Sequence, residues 1–340
     1  MTRNDLVAAL NRLPRVPFAA TPTPLEAHPE LGRAIGLDRL LVKRDDLTGL
    51  AFGGNKVREL EYFLGAAVAA DADVFVAGGG VAQSNHARQC AAAARRAGLE
   101  AHLVLRATDQ IDETTGNLLV TRLLADEIIL VDDDPGLADR ESLSATMDAH
   151  AELLRGAGRR PWVLHSSFHP LGAAAYVAAG IELADQLADL GISAATIVVT
   201  SMGATRVGFD LAAAVLGLEW TTVGVGWRPV DNTLTARLVG LATETADLLG
   251  LDPSLVEREP LTLDHGGPSY GVPSDEGLDA IRLAARISGL LLDPVYTAKG
   301  FAGLRSAVGA SVDPHRPVVF VHTGGLPALF THGNLINAAI

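Results

Sequence analysis

The chain has 340 residues, 48% of them hydrophobic, with Lys plus Arg at 27 against Asp plus Glu at 40, a net charge of −13. That length and apolar content suit two domains, or one large one, with a buried core, and they exclude a disordered chain. The acidic balance, without a long basic run, excludes nucleic acid as an expected partner, and the single cysteine, Cys90, excludes an internal disulfide.

Short β-branched runs alternate with Ala- and Leu-rich stretches from end to end, the pattern of parallel βαβ units, so the fold class is α/β. Strands are predicted at Leu40–Lys43, Asp73–Ala77, Ala101–Leu105, Ile128–Val131, Trp162–His165, Thr196–Thr200, Thr222–Gly226, Leu290–Asp293 and Val318–His322. Helices are predicted between them at Val57–Ala70, Asn85–Ala97, Gly116–Leu124, Ser142–Arg155, Leu171–Leu190, Val207–Leu216, Thr233–Leu249, Ser274–Ser288 and Phe301–Gly309. Cys90 falls in an alanine-rich helical run and reads as a packed thiol. The turn Asp132-Asp133-Asp134-Pro135-Gly136 reads as a solvated loop or as a divalent-ion site, and Arg155 to Pro161 is a second clear loop and a candidate boundary. Met1 to Ala20 lacks an apolar signal core and no stretch has membrane-spanning length, so a soluble, cytoplasmic protein with no membrane partner is expected.

Three predicted strands end in small-residue turns that open helices: Gly78-Gly79-Gly80 leading to Ser84-Asn85, Ser201-Met202-Gly203-Ala204-Thr205, and His322-Thr323-Gly324-Gly325. Ligands of open α/β sheets collect at such strand ends, where helix N-termini offer unpaired N–H groups to an anion. None fits the dinucleotide fingerprint or the P-loop pattern. Lysine is rare, at positions 43, 56 and 299 only, and Lys56 stands in Gly53-Gly54-Asn55-Lys56. An amine forms a Schiff base and a guanidinium does not. Alone, Lys56 reads more readily as an ordinary cation at a helix start.

The motifs taken together are more specific. Lys43-Arg44-Asp45-Asp46-Leu47 with Gly53-Gly54-Asn55-Lys56, then Gln83-Ser84-Asn85-His86-Ala87-Arg88-Gln89, Asp293-Pro294-Val295-Tyr296-Thr297-Ala298-Lys299 and His322-Thr323-Gly324-Gly325 occur in that order. Over nearly the whole chain the sequence resembles the D-cysteine desulfhydrase and 1-aminocyclopropane-1-carboxylate deaminase family, in the tryptophan-synthase-β-like group of pyridoxal-phosphate enzymes. The resemblance implies two open, twisted, mostly parallel sheets flanked by helices, the type II fold of these enzymes. Residues 57–162 would form a smaller domain, and 1–56 with 163–340 a larger one, with pyridoxal 5'-phosphate between them. It also implies a small amino-acid substrate and a homodimer; no metal is expected from the residues.

By that resemblance Lys56 carries the cofactor as a Schiff base and then serves as base or proton shuttle. Ser84 faces the substrate, and Asn85 bonds the cofactor's phenolic oxygen. The substrate carboxylate lies on the helix start at Ser84, Asn85 and His86, the last acting through its backbone. Gly203, Ala204 and Thr205 form the phosphate loop, and Tyr296 and Tyr270 are active-site tyrosines. Thr297 and Thr323 stand where the deaminase branch carries an acid and a leucine, which places the chain with the desulfhydrases. A carboxylate near the pyridine nitrogen keeps it protonated, as cyclopropane opening requires, whereas a threonine hydroxyl suffices for β-elimination.

The expected reaction is therefore α,β-elimination on D-cysteine, giving pyruvate, ammonia and sulfide, with L-cysteate losing sulfite as the alternative. A catalytically inactive cofactor-binding or regulatory protein is the reading from another class. The chain departs from the family at His165-Ser166-Ser167-Phe168-His169 and at Arg206, where the sequence suggests recognition of an additional anionic or polar group. His165 and His169, four apart, read as loop histidines because no thiolate or carboxylate accompanies them in the motif.

Overall fold

The computed structural model describes residues 2–80, 83–107, 115–131, 141–226, 231–256, 261–265, 267 and 271–339. Its ten strands are β1 (Leu25–Ala27), β2 (Leu40–Lys43), β3 (Val74–Gly79), β4 (Glu100–Arg106), β5 (Glu127–Val131), β6 (Pro161–Leu164), β7 (Ala194–Val199), β8 (Glu219–Gly226), β9 (Leu261–Asp264) and β10 (Val318–Val321). Helices flank them: α1 (Arg3–Asn11), α2 (Pro29–Ala34), α3 (Lys56–Ala69), α4 (Asn85–Arg96), α5 (Gly116–Leu124), α6 (Glu141–Gly156), α7 (Pro170–Asp189) and α8 (Ala204–Leu216). After them come α9 (Asn232–Leu249), α10 (Asp275–Ser288), α11 (Thr297–Ala307), α12 (Pro327–Thr331) and α13 (Gly333–Ala339). Among the described residues no helix is long and apolar enough to cross a membrane.

The strands divide into two sheets. One has the order β1-β2-β10-β7-β8-β9, parallel except for β1, and the other has the all-parallel order β5-β4-β3-β6. Central strands buried on both faces need continuous apolar side chains. Val-Val-Phe-Val in β10 and Leu-Leu-Val-Lys in β2 are buried at every residue. Lys43 is the polar member of that run, and its amine is satisfied by Thr23 O at 2.8 Å and Gln186 Oε1 at 2.7 Å, with Glu182 as counter-ion.

Each sheet reverses its winding once. From β3 the chain builds outward through β4 and β5 and then returns to place β6 on the other side. From β7 it builds through β8 and β9, then returns to place β10 on the other side. Loops at the carboxyl ends of strands flanking such a reversal splay apart and leave a crevice. The turns after β3, β7 and β10 are the three glycine-marked turns of the sequence.

The predicted strand at Leu290–Asp293 is not one. Leu290 and Leu292 are buried in the core beside Leu31, Val42 and Phe301, and Asp293 is buried too, but the segment pairs with no strand and turns into α11. A short apolar run declares burial without declaring a ladder partner. The short strands β1 and β9 are absent from the sequence expectations. The helix expected at Phe301–Gly309 starts one turn earlier, at Thr297, and that expected at Val207–Leu216 starts at Ala204. The acidic turn Asp132–Asp134 lies outside the described residues.

Candidate active site

Tight turns between Thr48 and Asn55 deliver Lys56 as the first residue of α3. The Gly54 N–H donates to Thr48 Oγ1 at 2.8 Å, and the Asn55 N–H to Thr323 O at 3.0 Å. Gly54 has φ +128°, and a Cβ there would lie 2.3 Å from Gln89 Nε2 and 3.1 Å from Thr323 O. Backbone freedom and lack of a side chain are both required at this position. Gln89 Nε2 donates to Gly53 O from the other side. The lysine turn is thus gripped between α4 and the loop after β10.

The Lys56 amine donates to Glu59 Oε1 at 2.9 Å and Oε2 at 3.0 Å. The Lys56 side chain is 22% exposed and the Glu59 side chain wholly buried, so the amine stands between solvent and a buried carboxylate. Thr205 Oγ1 donates to Glu59 Oε1 at 3.2 Å and accepts from Asn55 Nδ2 at 3.0 Å. Burial pushes the Glu59 carboxyl above its ordinary range, and Lys56 and Thr205 offset this only in part. Burial, then the charge of Lys56, pushes the His86 imidazole down to about 3, so it is neutral at physiological pH. Its ring lies 3.4 Å from the Cys90 thiol, whose pKa burial raises. Cys90 is a packed thiol here.

Two helix N-termini face this region. At α8, Gly203 is the N-cap and provides no side-chain bond, so the first-turn N–H groups beginning at Ala204 and Thr205 are not capped by it. A Cβ on Gly203 would come 3.1 Å from Phe168 Cδ2, which closes one wall. At α4, Ser84 Oγ accepts from the Ala87 N–H at 3.3 Å, and the amides of Asn85 and His86 open the helix. Arg88 is buried beneath it, donating to Asn117 Oδ1 at 2.7 Å, with one terminal nitrogen 3.5 Å from both Gly53 O and Asn85 Oδ1. Its other terminal nitrogen has no partner among the described residues.

The start of α11 completes the arrangement. Asp293 accepts from the N–H groups of Val295 and Tyr296 at 2.9 Å and of Thr297 at 2.8 Å, and from Thr297 Oγ1 at 2.7 Å. The single hydroxyl hydrogen of Thr297 is therefore committed to Asp293. A Cβ on Gly325 would meet Asp293 Cγ at 2.5 Å, and one on Gly324 would meet Gly54 Cα at 2.7 Å. Backbone stacks on backbone from α11 through the β10 loop to the lysine turn. His322 Nε2 donates to Leu291 O at 2.8 Å while Nδ1 accepts from the Gly324 N–H at 3.2 Å, which fixes its tautomer.

The structure thus joins Lys56 directly to Thr205 through Glu59, and the lysine turn to Thr323 and to α4, whose first residues are Asn85 and His86. Tyr296 shares the α11 start with Thr297 and Asp293. Tyr270 lies outside the described residues. At the departures, His165 to His169 and Arg206, the side chains make local bonds. His165 pairs with Asp148 at 3.2 Å, Ser166 Oγ accepts from the Phe168 N–H at 3.0 Å, and His169 Nδ1 accepts from the Leu171 N–H at 3.1 Å as the cap of α7. Arg206 is buried, donating to Asp210 at 3.2 Å and to Thr262. Glu59 is not among the residues singled out from sequence, and Asp293 and Arg88 enter there only as members of their motifs; the signal for Glu59 is an acid three residues after Lys56.

These residues suit a phosphorylated aldehyde. Lys56 supplies a partly exposed amine, and the α8 start supplies N–H groups for an anion, with the Thr205 hydroxyl bonded to the lysine's own partner. Burial raises the Glu59 pKa, which makes the carboxylate beside Lys56 a stronger proton acceptor than an ordinary one.

Comparisons agree. A family model described as pyridoxal-phosphate dependent enzyme matches residues 16–324. A 1-aminocyclopropane-1-carboxylate deaminase of Burkholderia cenocepacia is 36% identical over 338 residues, covering 96% of this chain and 98% of that protein. One from Methylobacterium nodulans is 37% identical over 335 residues, covering 95% and 98%. A crystal structure of an ACC deaminase homologue superposes with a TM-score of 0.89 at 34% identity over the full length of both chains.

Proposed function

The chain belongs to the pyridoxal-phosphate-dependent enzymes, in the group of the 1-aminocyclopropane-1-carboxylate deaminases and desulfhydrases, and from that premise we propose that it catalyses α,β-elimination on a small amino acid with a β leaving group. D-cysteine, giving pyruvate, ammonia and hydrogen sulfide, is the leading substrate, and L-cysteate losing sulfite is the alternative. The observation that carries this choice is the α11 start. Position 297 is threonine rather than an acid, and the nearby carboxylate, Asp293, spends both oxygens on four hydrogen bonds of the helix start. Neither group is available to protonate a ring nitrogen, and cyclopropane opening needs that proton because no β group departs with the electrons.

The bound cofactor supplies an electron sink for the substrate's Cα. This chain's residues do the rest. The α4 start orients the substrate carboxylate with the amides of Asn85 and His86, as a helix N-terminus holds an anion. Ser84 and Lys56 flank Cα, Lys56 taking its proton. Glu59 holds the proton that Lys56 sheds to become a nucleophile. Residues 57–162 form the smaller of two parts, with the cofactor against 1–56 and 163–340, and the protein is a homodimer.

A panel of D- and L-cysteine, L-cysteate, β-chloroalanine and aminocyclopropane carboxylate, scored by keto-acid release, tests the reaction. Cyclopropane deamination as fast as the best β-leaving-group substrate would defeat the assignment. Cofactor binding without keto-acid release from any of the five would favour the inactive reading.

A further inference from the structure

On the small sheet, His102 of β4, Glu127 of β5 and His150 of α6 converge. The β4–β5 register places His102 directly opposite Glu127. His150 sits on the inward stripe of α6 with Leu143, Met147 and Ala151, where an apolar residue is the usual choice. His102 Nδ1 lies 2.8 Å from His150 Nε2 and 3.4 Å from Glu127 Oε2, and His150 Nε2 lies 3.7 Å from that same oxygen. One hydrogen shared between the imidazoles accounts for a single edge of this triangle and leaves the carboxylate oxygen facing two nitrogens.

We propose that His102, Glu127 and His150 form a binding site for a divalent transition ion of the zinc class. The point equidistant from the three donor atoms lies about 1.9 Å from each, against ~2.0–2.2 Å for Zn–N and Zn–O bonds, so an ion fits just out of their plane with its fourth position open. Two imidazoles with one carboxylate favour zinc, cobalt or nickel over magnesium or calcium. The remaining nitrogen of His102 faces Glu100 Oε2 at 3.4 Å, the carboxylate behind a histidine that orients ligands in metal sites, and Arg159 steadies Glu100 at 3.0 Å. Among the described residues this is the one group of three such donors with metal spacing.

The ion would lock α6 onto the β4–β5 edge and take no part in the chemistry. His102 lies near the amino end of β4, aligned with Val76, three residues or about 10 Å before Gly79, where the chain leaves β3 for Ser84. Calorimetric titration of the cofactor-loaded full chain with Zn²⁺ is expected to show one site per chain, weakened at least about tenfold in His150→Ala and in Glu127→Ala. Glu127 is half exposed, so its replacement tests the site even if the variant at the partly buried His150 fails to fold. Co²⁺ at the same site is expected to show the d–d absorption of a four-coordinate ion, lost in both variants. Binding of equal strength in wild type and variants, or none at micromolar Zn²⁺, overturns the proposal. So does loss of keto-acid release on chelation, which would put the ion at the chemistry.

Discussion

Replacing Arg58 by Met tests what holds the start of α3. The Arg58 guanidinium donates to Asp45 Oδ1 at 2.9 Å and Oδ2 at 3.1 Å, and to Glu182 Oε1 at 2.8 Å and Oε2 at 3.0 Å. Tyr176 Oη and Thr23 Oγ1 add bonds to Asp45 at 2.7 and 2.8 Å. Methionine keeps the volume but leaves two buried carboxylates sharing Lys43 alone. Stranding a buried charge costs about 3–5 kcal/mol. With an unfolding entropy of ~2.1 cal/mol/K per residue, a 340-residue chain loses about 4–7 °C in Tm.

Calorimetry across pH adds a sign. Burial raises Asp45 and Glu182, but Arg58 and Lys43 outweigh it and hold both below their ordinary range. Their stabilisation is therefore present above about pH 4 and lost as pH falls through the lowered values. In Arg58→Met, burial dominates and the slope reverses, so the variant gains stability from pH 7 to 5. A Tm loss under 2 °C, or parallel pH profiles, would refute the idea that this network anchors the helix.

Three further outcomes are expected. Lys56→Ala removes both the visible absorbance of the cofactor-loaded protein and keto-acid release, with the fold intact by circular dichroism. Glu59→Gln removes the acceptor for the proton that Lys56 sheds, so the variant takes up pyridoxal phosphate at least about tenfold more slowly, as measured by fluorescence quenching. Gly54→Ala forces a Cβ into Gln89 and the Thr323 carbonyl at a positive φ, weakening cofactor binding at least tenfold by the same measurement.

The α/β class and the crevice loops were legible because buried parallel strands need unbroken apolar runs and the turns after them need small residues. Leu40–Lys43 shows this: its bounds follow from the sequence, and even its lysine does not mislead. Leu290–Asp293 has the same apolar texture, yet its burial is owed to packing beneath α11, which no local pattern encodes. β1 and β9 are three and four residues long and lack the β-branched run that marks a strand. At the site, motif order located Lys56 and the loops around it. The partners of those residues depend on contacts across 150 positions, as between Asn55 and Thr205, and sequence spacing is silent about those.

The backbone stack of Gly54 on Thr323 and Gly324 also bears on how the enzyme comes into being. Two segments about 270 residues apart must meet before the lysine turn has both its walls, and closing so long a loop is entropically late among folding events. A folding chain can complete the small sheet, whose strands run from Val74 to Leu164, while Lys56 still lacks a fixed position. Competence to take up cofactor therefore arrives with the last strand, and a chain cut before His322 would keep much of its secondary structure while failing to hold its lysine.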